Sequence, residues 1–217
     1  MESLRRREGV DEVFDDVVVE TCGVECADLV EGLVSSAMSW FHGYYARSCL
    51  ESGVCNATIV KERGEVVGSG LYFKVLIEPE PLGVVYYVVV KDAFRGLGYG
   101  KVLVSSIEEL LSWEGVKYFI ATARKTNKPS INMFKSLGYV VIELTELNDL
   151  IEVIRYVACS YDDDVLMIKG ESIKEVKDVE PAVRYLMKLR HNRNVVRDVW
   201  ERICHKPWVN LQKQRSF

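Results

Sequence analysis

The chain has 217 residues, with 28 Lys+Arg against 32 Asp+Glu and a formal net charge of −4. Apolar residues make up 48% and charged residues 28%, which excludes a globally disordered chain and suits one domain of ordinary size with an appendage. No run of about 18 apolar residues occurs, so no transmembrane helix is read; acidic residues, not an apolar stretch, follow Arg5, Arg6 and Arg7, so no secretory signal is read and a cytoplasmic location is expected.

Residues 1–12 read as a charged, mobile start, and Val17-Val18-Val19 as a first short strand. Over residues 26–50, Leu29, Leu33, Ala37, Phe41 and Tyr45 recur every four positions, which predicts one helix. Two β-rich runs, 56–61 and 65–75, flank Glu62-Arg63-Gly64, a hairpin signal. A breaker-rich loop, 78–83, leads into Val84–Val90, an apolar run with no polar face that predicts a central strand covered on both sides. A glycine-rich turn and a helix over 101–113 come next, then a buried strand over 116–123. Pro129 opens a short helix, 130–136, that Gly138 closes. A strand over 139–144, a helix over 146–159 and a last strand over 165–168 complete the body. Residues 172–217 read as two helical pieces bent at His191–Asn194.

The charge is unevenly distributed. Residues 181–217 hold nine basic residues against two acidic ones, a charge of +7, and residues 1–180 carry −11. Such a tail can contact nucleic acid or fold back on its own acidic body. No aromatic–basic RNA-binding signature accompanies it. Trp200, Trp208 and Phe217 in this tail point to a packed contact, within the chain or across a homodimer. The six cysteines form no CxxC pair, and His42, His191 and His205 lack zinc-ligand spacing, so no metal site is expected. The cysteines read mostly as small buried hydrophobes, with intramolecular disulfides left open.

The informative segment runs strand, glycine-rich turn, helix from Val88 to Lys101. Gly96, Gly98 and Gly100 let the backbone approach a ligand, and the free N–H groups and dipole of the helix start suit a pyrophosphate. Arg95 and Lys101 add charge. A Walker A loop fails, because Val102 follows Lys101 where Ser or Thr is required and Arg95 takes the place of the first glycine. A Rossmann fingerprint is weak, with Lys101 at the third glycine position and no βα unit before it.

Arg95-Gly96-Leu97-Gly98-Tyr99-Gly100, five residues after Val90, resembles the Arg/Gln-x-x-Gly-x-Gly/Ala signature of the GCN5-related N-acetyltransferase (GNAT) family. A second element of that family resembles Asn127 to Tyr139, and the segment 162–169 resembles its last strand. The resemblance covers roughly residues 15–170, giving a domain over 13–171 and a basic helical extension over 172–217. It implies a mixed α/β fold whose fourth and fifth strands splay apart, with acetyl-CoA as co-substrate in the V between them. It further implies that main-chain groups of Val88, Val89 and Val90 pair with the pantetheine arm. The N–H groups of Gly96, Leu97, Gly98, Tyr99, Gly100 and Lys101 would hold the pyrophosphate. Asn127 would contact the pantetheine or the thiol site, or serve only as a helix cap.

The implied reaction is direct attack of a protein or small-molecule amine on the thioester through a tetrahedral intermediate. An alkylamine is mostly ammonium at neutral pH, so a group or water chain must take its proton. Here the sequence departs from the family. Phe134 stands where many members place a tyrosine that protonates the thiolate, and Val84–Val90 lacks the usual glutamate base. Tyr86 and Tyr87 on that strand and Glu78 and Glu80 before it are the candidates for acid–base work. These departures also leave open a non-catalytic module that holds CoA, or that docks on nucleic acid or a protein through 181–217.

Overall fold

The computed structural model describes residues 16–173 and 179–215. Residues 1–12, expected to be mobile, lie outside the described residues, as does Phe217. Seven strands form one sheet: β1 (Val17–Cys22), β2 (Asn56–Glu62), β3 (Glu65–Val75), β4 (Leu82–Val90), β5 (Tyr118–Ala123), β6 (Val140–Glu143) and β7 (Val165–Gly170), in the order β1-β2-β3-β4-β5-β7-β6. Every neighbouring pair is antiparallel except β4 and β5, which run parallel. The fold is mixed α/β, as expected.

Helices cover both faces. On one face, α3 (Tyr99–Trp113) and α4 (Lys128–Ser136) bury Val104, Ile107, Leu111, Ile131 and Phe134 against Val85, Phe119 and Ala121 of the sheet. On the other lie α1 (Ala27–Ala37), α2 (Trp40–Glu51), α5 (Ile151–Ala158) and the helices of the tail, around Val30, Val34, Leu50, Phe73, Ile154 and Leu186. Strand β4 is therefore covered on both faces, which is why its sequence has no polar side.

Three readings of the sequence change. The single helix expected over 26–50 is two helices, because Ser39 is extended (φ −168°, ψ 162°) and caps α2 by accepting the His42 N–H. Serine suits that place, since its oxygen satisfies a donor that the new helix leaves open. The apolar stripe continues across this two-residue break and so hides it. The helix expected over 146–159 begins only at Ile151; the segment Leu144–Leu150 is an irregular turn around Asn148, whose φ is 41°. The cysteines are not free hydrophobes: Cys22–Cys26, Cys49–Cys55 and Cys159–Cys204 are disulfides.

In the tail, α6 (Val179–His191), α7 (Arg193–Trp200) and α8 (Lys206–Arg215) follow one another, α7 and α8 joined by a wider π turn over Glu201–His205. The bend falls at Asn192, whose side-chain amide donates to Lys188 O (2.9 Å) and whose Oδ1 accepts the Glu78 N–H (3.4 Å). Lys188 pairs with Glu80 at 2.6 Å and Arg190 with Asp149 at 3.3 Å, so these two tail cations meet acidic groups of the body. Tyr185 stacks on Tyr118 with ring centroids 3.7 Å apart, and Trp200 stacks on Tyr156 at 5.0 Å while its indole N–H donates to the Tyr161 hydroxyl. Trp200 thus has its packed contact within the chain; Trp208 stays half exposed. No helix of the described residues is long and apolar enough to cross a membrane.

Candidate functional site

The site begins where β4 and β5 part. They pair only at Leu82–Tyr118, Gly83–Phe119 and Val84–Ile120. Beyond that, β4 continues to Val90 beside β3 alone, while β5 turns to β7. The edge of Val85–Val89 that faces β5 therefore carries no ladder, and strand N–H and C=O groups left in this way need another partner. Val88, Val89 and Val90 lie along this opening.

At the end of β4 the chain makes a short turn, Asp92–Phe94, and enters the glycine loop. Gly96 and Gly98 have φ of 80° and 96°, conformations that only glycine adopts without strain. A Cβ built on either meets nothing within 4 Å, so the loop is open on that side. Gly98 is the N-cap of α3 and has no side chain to satisfy the first turn. The Lys101 N–H closes on Gly98 O at 2.9 Å. Among the described residues, no backbone carbonyl accepts from the N–H groups of Gly96, Leu97, Gly98, Tyr99 or Gly100. They form a ring of donors at a positive helix end.

The loop's side chains divide their work. Tyr99 is buried against Phe94 and anchors the turn. Leu97 is exposed. Arg95 donates from Nε to Val90 O (3.2 Å) and pairs with Asp92 (2.8 Å), which ties the loop to the strand end. Lys101 is exposed on the first turn of α3. Asn127 accepts the Ser130 N–H at 3.3 Å as the N-cap of α4. Phe134 is 3% exposed and packs edge-on against Tyr139 at 4.9 Å, a core contact with no proton to give.

On the opposite face of the opening lies a cluster that the sequence reading only half anticipated. Strands β3 and β4 shift register between the pairs Leu71–Tyr87 and Tyr72–Val85, leaving Tyr86 as an extra, bulged residue. Alternation would send Tyr86 and Tyr87 to opposite faces. With the bulge, both pack against the core under α1 and α2, ring centroids 4.3 Å apart. Burial pushes both hydroxyls well up from the ordinary tyrosine value. The Tyr86 hydroxyl is buried with no hydrogen-bond partner among the described residues.

His42 stands edge-on to Tyr87, centroids 5.9 Å apart, with Nδ1 2.7 Å from Ser39 Oγ. Burial above all, then the charge of Arg124, holds its pKa below 6.5; Asp163 and Asp162 act the other way. Asp163 is itself pushed up, mainly by burial and against a hydrogen bond from Thr122. In the sequence His42 carries no metal-ligand spacing and no other mark of a site. Only the break at Ser39 turns it toward β4.

The structure does not bring Glu78 and Glu80 to this opening. Both precede β4 at its paired end, where Glu80 is held by Lys188 and its carbonyl accepts from Tyr185. A shallow cleft of about 490 Å³ runs between α1 and the end of β4, lined by Leu29, Gly32, Leu33, Ser36, Val89 and Val90.

The sequence profile of the Acetyltransferase (GNAT) family matches residues 31–139, half of the chain, and the chain belongs to that family. A search of the curated proteins returns no match. Among solved structures, a protein of the GNAT family from Desulfovibrio desulfuricans is similar with a TM-score of 0.54 and 13% identity, over 71% of this chain and 98% of that one. NAA60 of Arabidopsis thaliana, in complex with a bisubstrate analogue, gives a TM-score of 0.54 and 12% identity over 71% and 97%. An aminoglycoside acetyltransferase from an uncultured soil metagenomic sample, meta-AAC0020 in complex with sisomicin, gives 0.50 and 13% over 58% and 89%. At these identities the likeness is one of fold.

Proposed function

We propose that this chain is an acetyl-CoA-dependent N-acetyltransferase acting on an amine. The observation that carries the reading is the unpaired edge of β4 from Val85 to Val89, opening directly beside the donor ring of Gly96–Gly100. An extended amide-bearing arm and a pyrophosphate joined in one molecule match that pair of features. On this reading Val88 and Val89 pair with the pantetheine arm, and Gly96, Leu97, Gly98, Tyr99 and Gly100 donate to the pyrophosphate. Arg95 keeps the loop attached to the strand, and Lys101 adds charge at its rim. Asn127 closes the far side of the opening as the cap of α4. Phe134 supports that wall from within the core.

The acceptor enters from the α1–α2 side, where the cleft reaches Val89 and Val90. Its nitrogen forms a bond to the acetyl carbon, the carbon–sulfur bond breaks, and the sulfur leaves with its electron pair. On this reading the acceptor is a protein or small-molecule amine.

Thermal unfolding with and without acetyl-CoA tests the reading. A ligand that binds only the folded chain raises the midpoint by mass action. The expected result is a clear rise, smaller with desulfo-CoA or free nucleotides. No rise would overturn the proposal and favour a domain that keeps the fold without the cofactor.

A further inference from the structure

We infer that His42 is the general base of the reaction, its Nε2 taking the proton from the attacking amine; this rests on the acetyltransferase reading above.

The argument begins with what the opening lacks. Strand β4 has no carboxylate, and Glu78 and Glu80 lie at its paired end, with Glu80 occupied by Lys188. Tyr86 and Tyr87 reach the cluster, but buried phenols held above their ordinary value are proton donors at neutral pH, not acceptors. A base for amine attack works best with a pKa near the working pH, and histidine is the side chain nearest to it.

Geometry then gives the ring an orientation. Ser39 is extended at the head of α2, and its hydroxyl oxygen sits 2.7 Å from His42 Nδ1. We assign the tautomer in which Nδ1–H donates to Ser39 Oγ, which puts the lone pair on Nε2, the nitrogen left for a substrate. Tyr87 lies against the ring edge at 5.9 Å and limits its swing. Tyr87 also belongs to the part of β4 that has left β5, so the imidazole lies one ring contact from the opening. The charged groups around it come from two segments: Arg124 from the end of β5, and Asp162 and Asp163 from the turn before β7. The two carboxylates draw in a cationic amine and stabilise the imidazolium; Arg124 and burial keep the resting ring neutral. The ammonium gives one proton to Nε2 and on to solvent before it attacks; the second, lost from nitrogen as the amide forms, passes through solvent to the departing sulfur, so that amide, thiol and one released proton balance.

The test uses bromoacetyl-CoA, which needs no knowledge of the acceptor. Bound in the opening, it presents a bromomethyl carbon where the acetyl group would lie. Neutral Nε2 displaces bromide, forming a nitrogen–carbon bond while the carbon–bromine pair leaves as bromide ion. Mass spectrometry of the full chain is expected to show one CoA adduct on His42, suppressed by excess CoA. Its rate should climb with pH to a plateau, with a midpoint below 6.5. His42→Gln should lose the adduct yet keep the CoA-induced rise in unfolding midpoint, which shows that the variant folds and binds. An adduct on Asp163 or elsewhere, or none on His42 while CoA still raises the midpoint, would overturn the assignment and leave the acetyltransferase reading intact. Absence of any CoA-induced rise would overturn both.

Discussion

His42 shows how much one residue's surroundings decide. Free in water its imidazole would titrate near 6.5; here burial, then Arg124, lowers that value. Between the native value and 6.5 the unfolded chain binds more proton than the folded one. The fold is therefore expected to lose stability as pH falls through that window and to gain nothing from this group above it. Denaturant unfolding at a series of pH values should show the wild type losing more stability than His42→Gln on acidification below 6.5, with parallel curves above it. Curves that stay parallel throughout would mean that the ring is no less easily protonated in the fold than in the unfolded chain. Asp163 is part of the same balance. Its carboxylate supports the imidazolium, so Asp163→Asn should shift the midpoint of the His42 titration to lower pH.

At the scale of elements, two close fits position the site. Helices α1 and α2 approach at Gly43, which is buried; a Cβ there would collide with Ser35 Oγ and lie 2.8 Å from Glu31 O. Gly43→Ala should therefore part the two helices and cost about 1–3 kcal/mol, the usual range for overpacking. A drop in unfolding midpoint checks it, and an unchanged midpoint would mean that Ser35 simply rotates away. At the other end of β4, Gly98 needs its left-handed backbone (φ 96°) but has empty space beside it. Gly98→Ala should cost only about 1–2 kcal/mol of backbone strain. Gly98→Trp should fill the space that the pyrophosphate would take, abolishing acetyl-CoA binding in a chain that still unfolds cooperatively. Unchanged affinity for acetyl-CoA in Gly98→Trp would contradict the assignment of this loop.

Across the whole molecule, the tail is fastened to the body at several places, of which two bear directly on stability. Tyr185 and Lys188 of α6 grip the loop before β4: the Tyr185 hydroxyl donates to Pro81 O (3.2 Å), and the Lys188 ammonium sits 5.2 Å from the Tyr185 ring centroid. Farther on, Cys159–Cys204 joins the end of α5 to the π turn across 45 residues of chain. A cross-link of that span restricts the unfolded chain enough to add about 4 kcal/mol in the chain-entropy account. Replacing both cysteines by serine should lower the unfolding free energy by about 2–4 kcal/mol, read as a lower denaturant midpoint. No change would mean that the tail packs fully without its tether. The same contacts bear on the alternative role for the basic extension. Lys188 and Arg190 already face Glu80 and Asp149, so fewer cations point outward than the charge count suggests. Binding of nucleic acid through the extension would show as affinity falling steeply with salt.

The sequence by itself determined the parts whose signals are local. Residue pattern located all seven strands to within three residues and named α3 and α4, because burial on one or two faces writes itself into spacing. The glycine loop was legible because Gly96 and Gly98 supply a backbone that other residues avoid. The tertiary structure decided what depends on distant partners. The bulge at Tyr86 arises from pairing with β3, and it alone puts both tyrosines under α2. The break at Ser39 interrupts an apolar stripe that runs on in phase, so only packing against Glu31 and Ser35 shows where α2 starts and where His42 points. The Cys159–Cys204 disulfide and the capture of Glu80 by Lys188 join residues 45 and 108 apart. No spacing rule encodes such contacts, since they follow from how the sheet order brings separate segments of chain together.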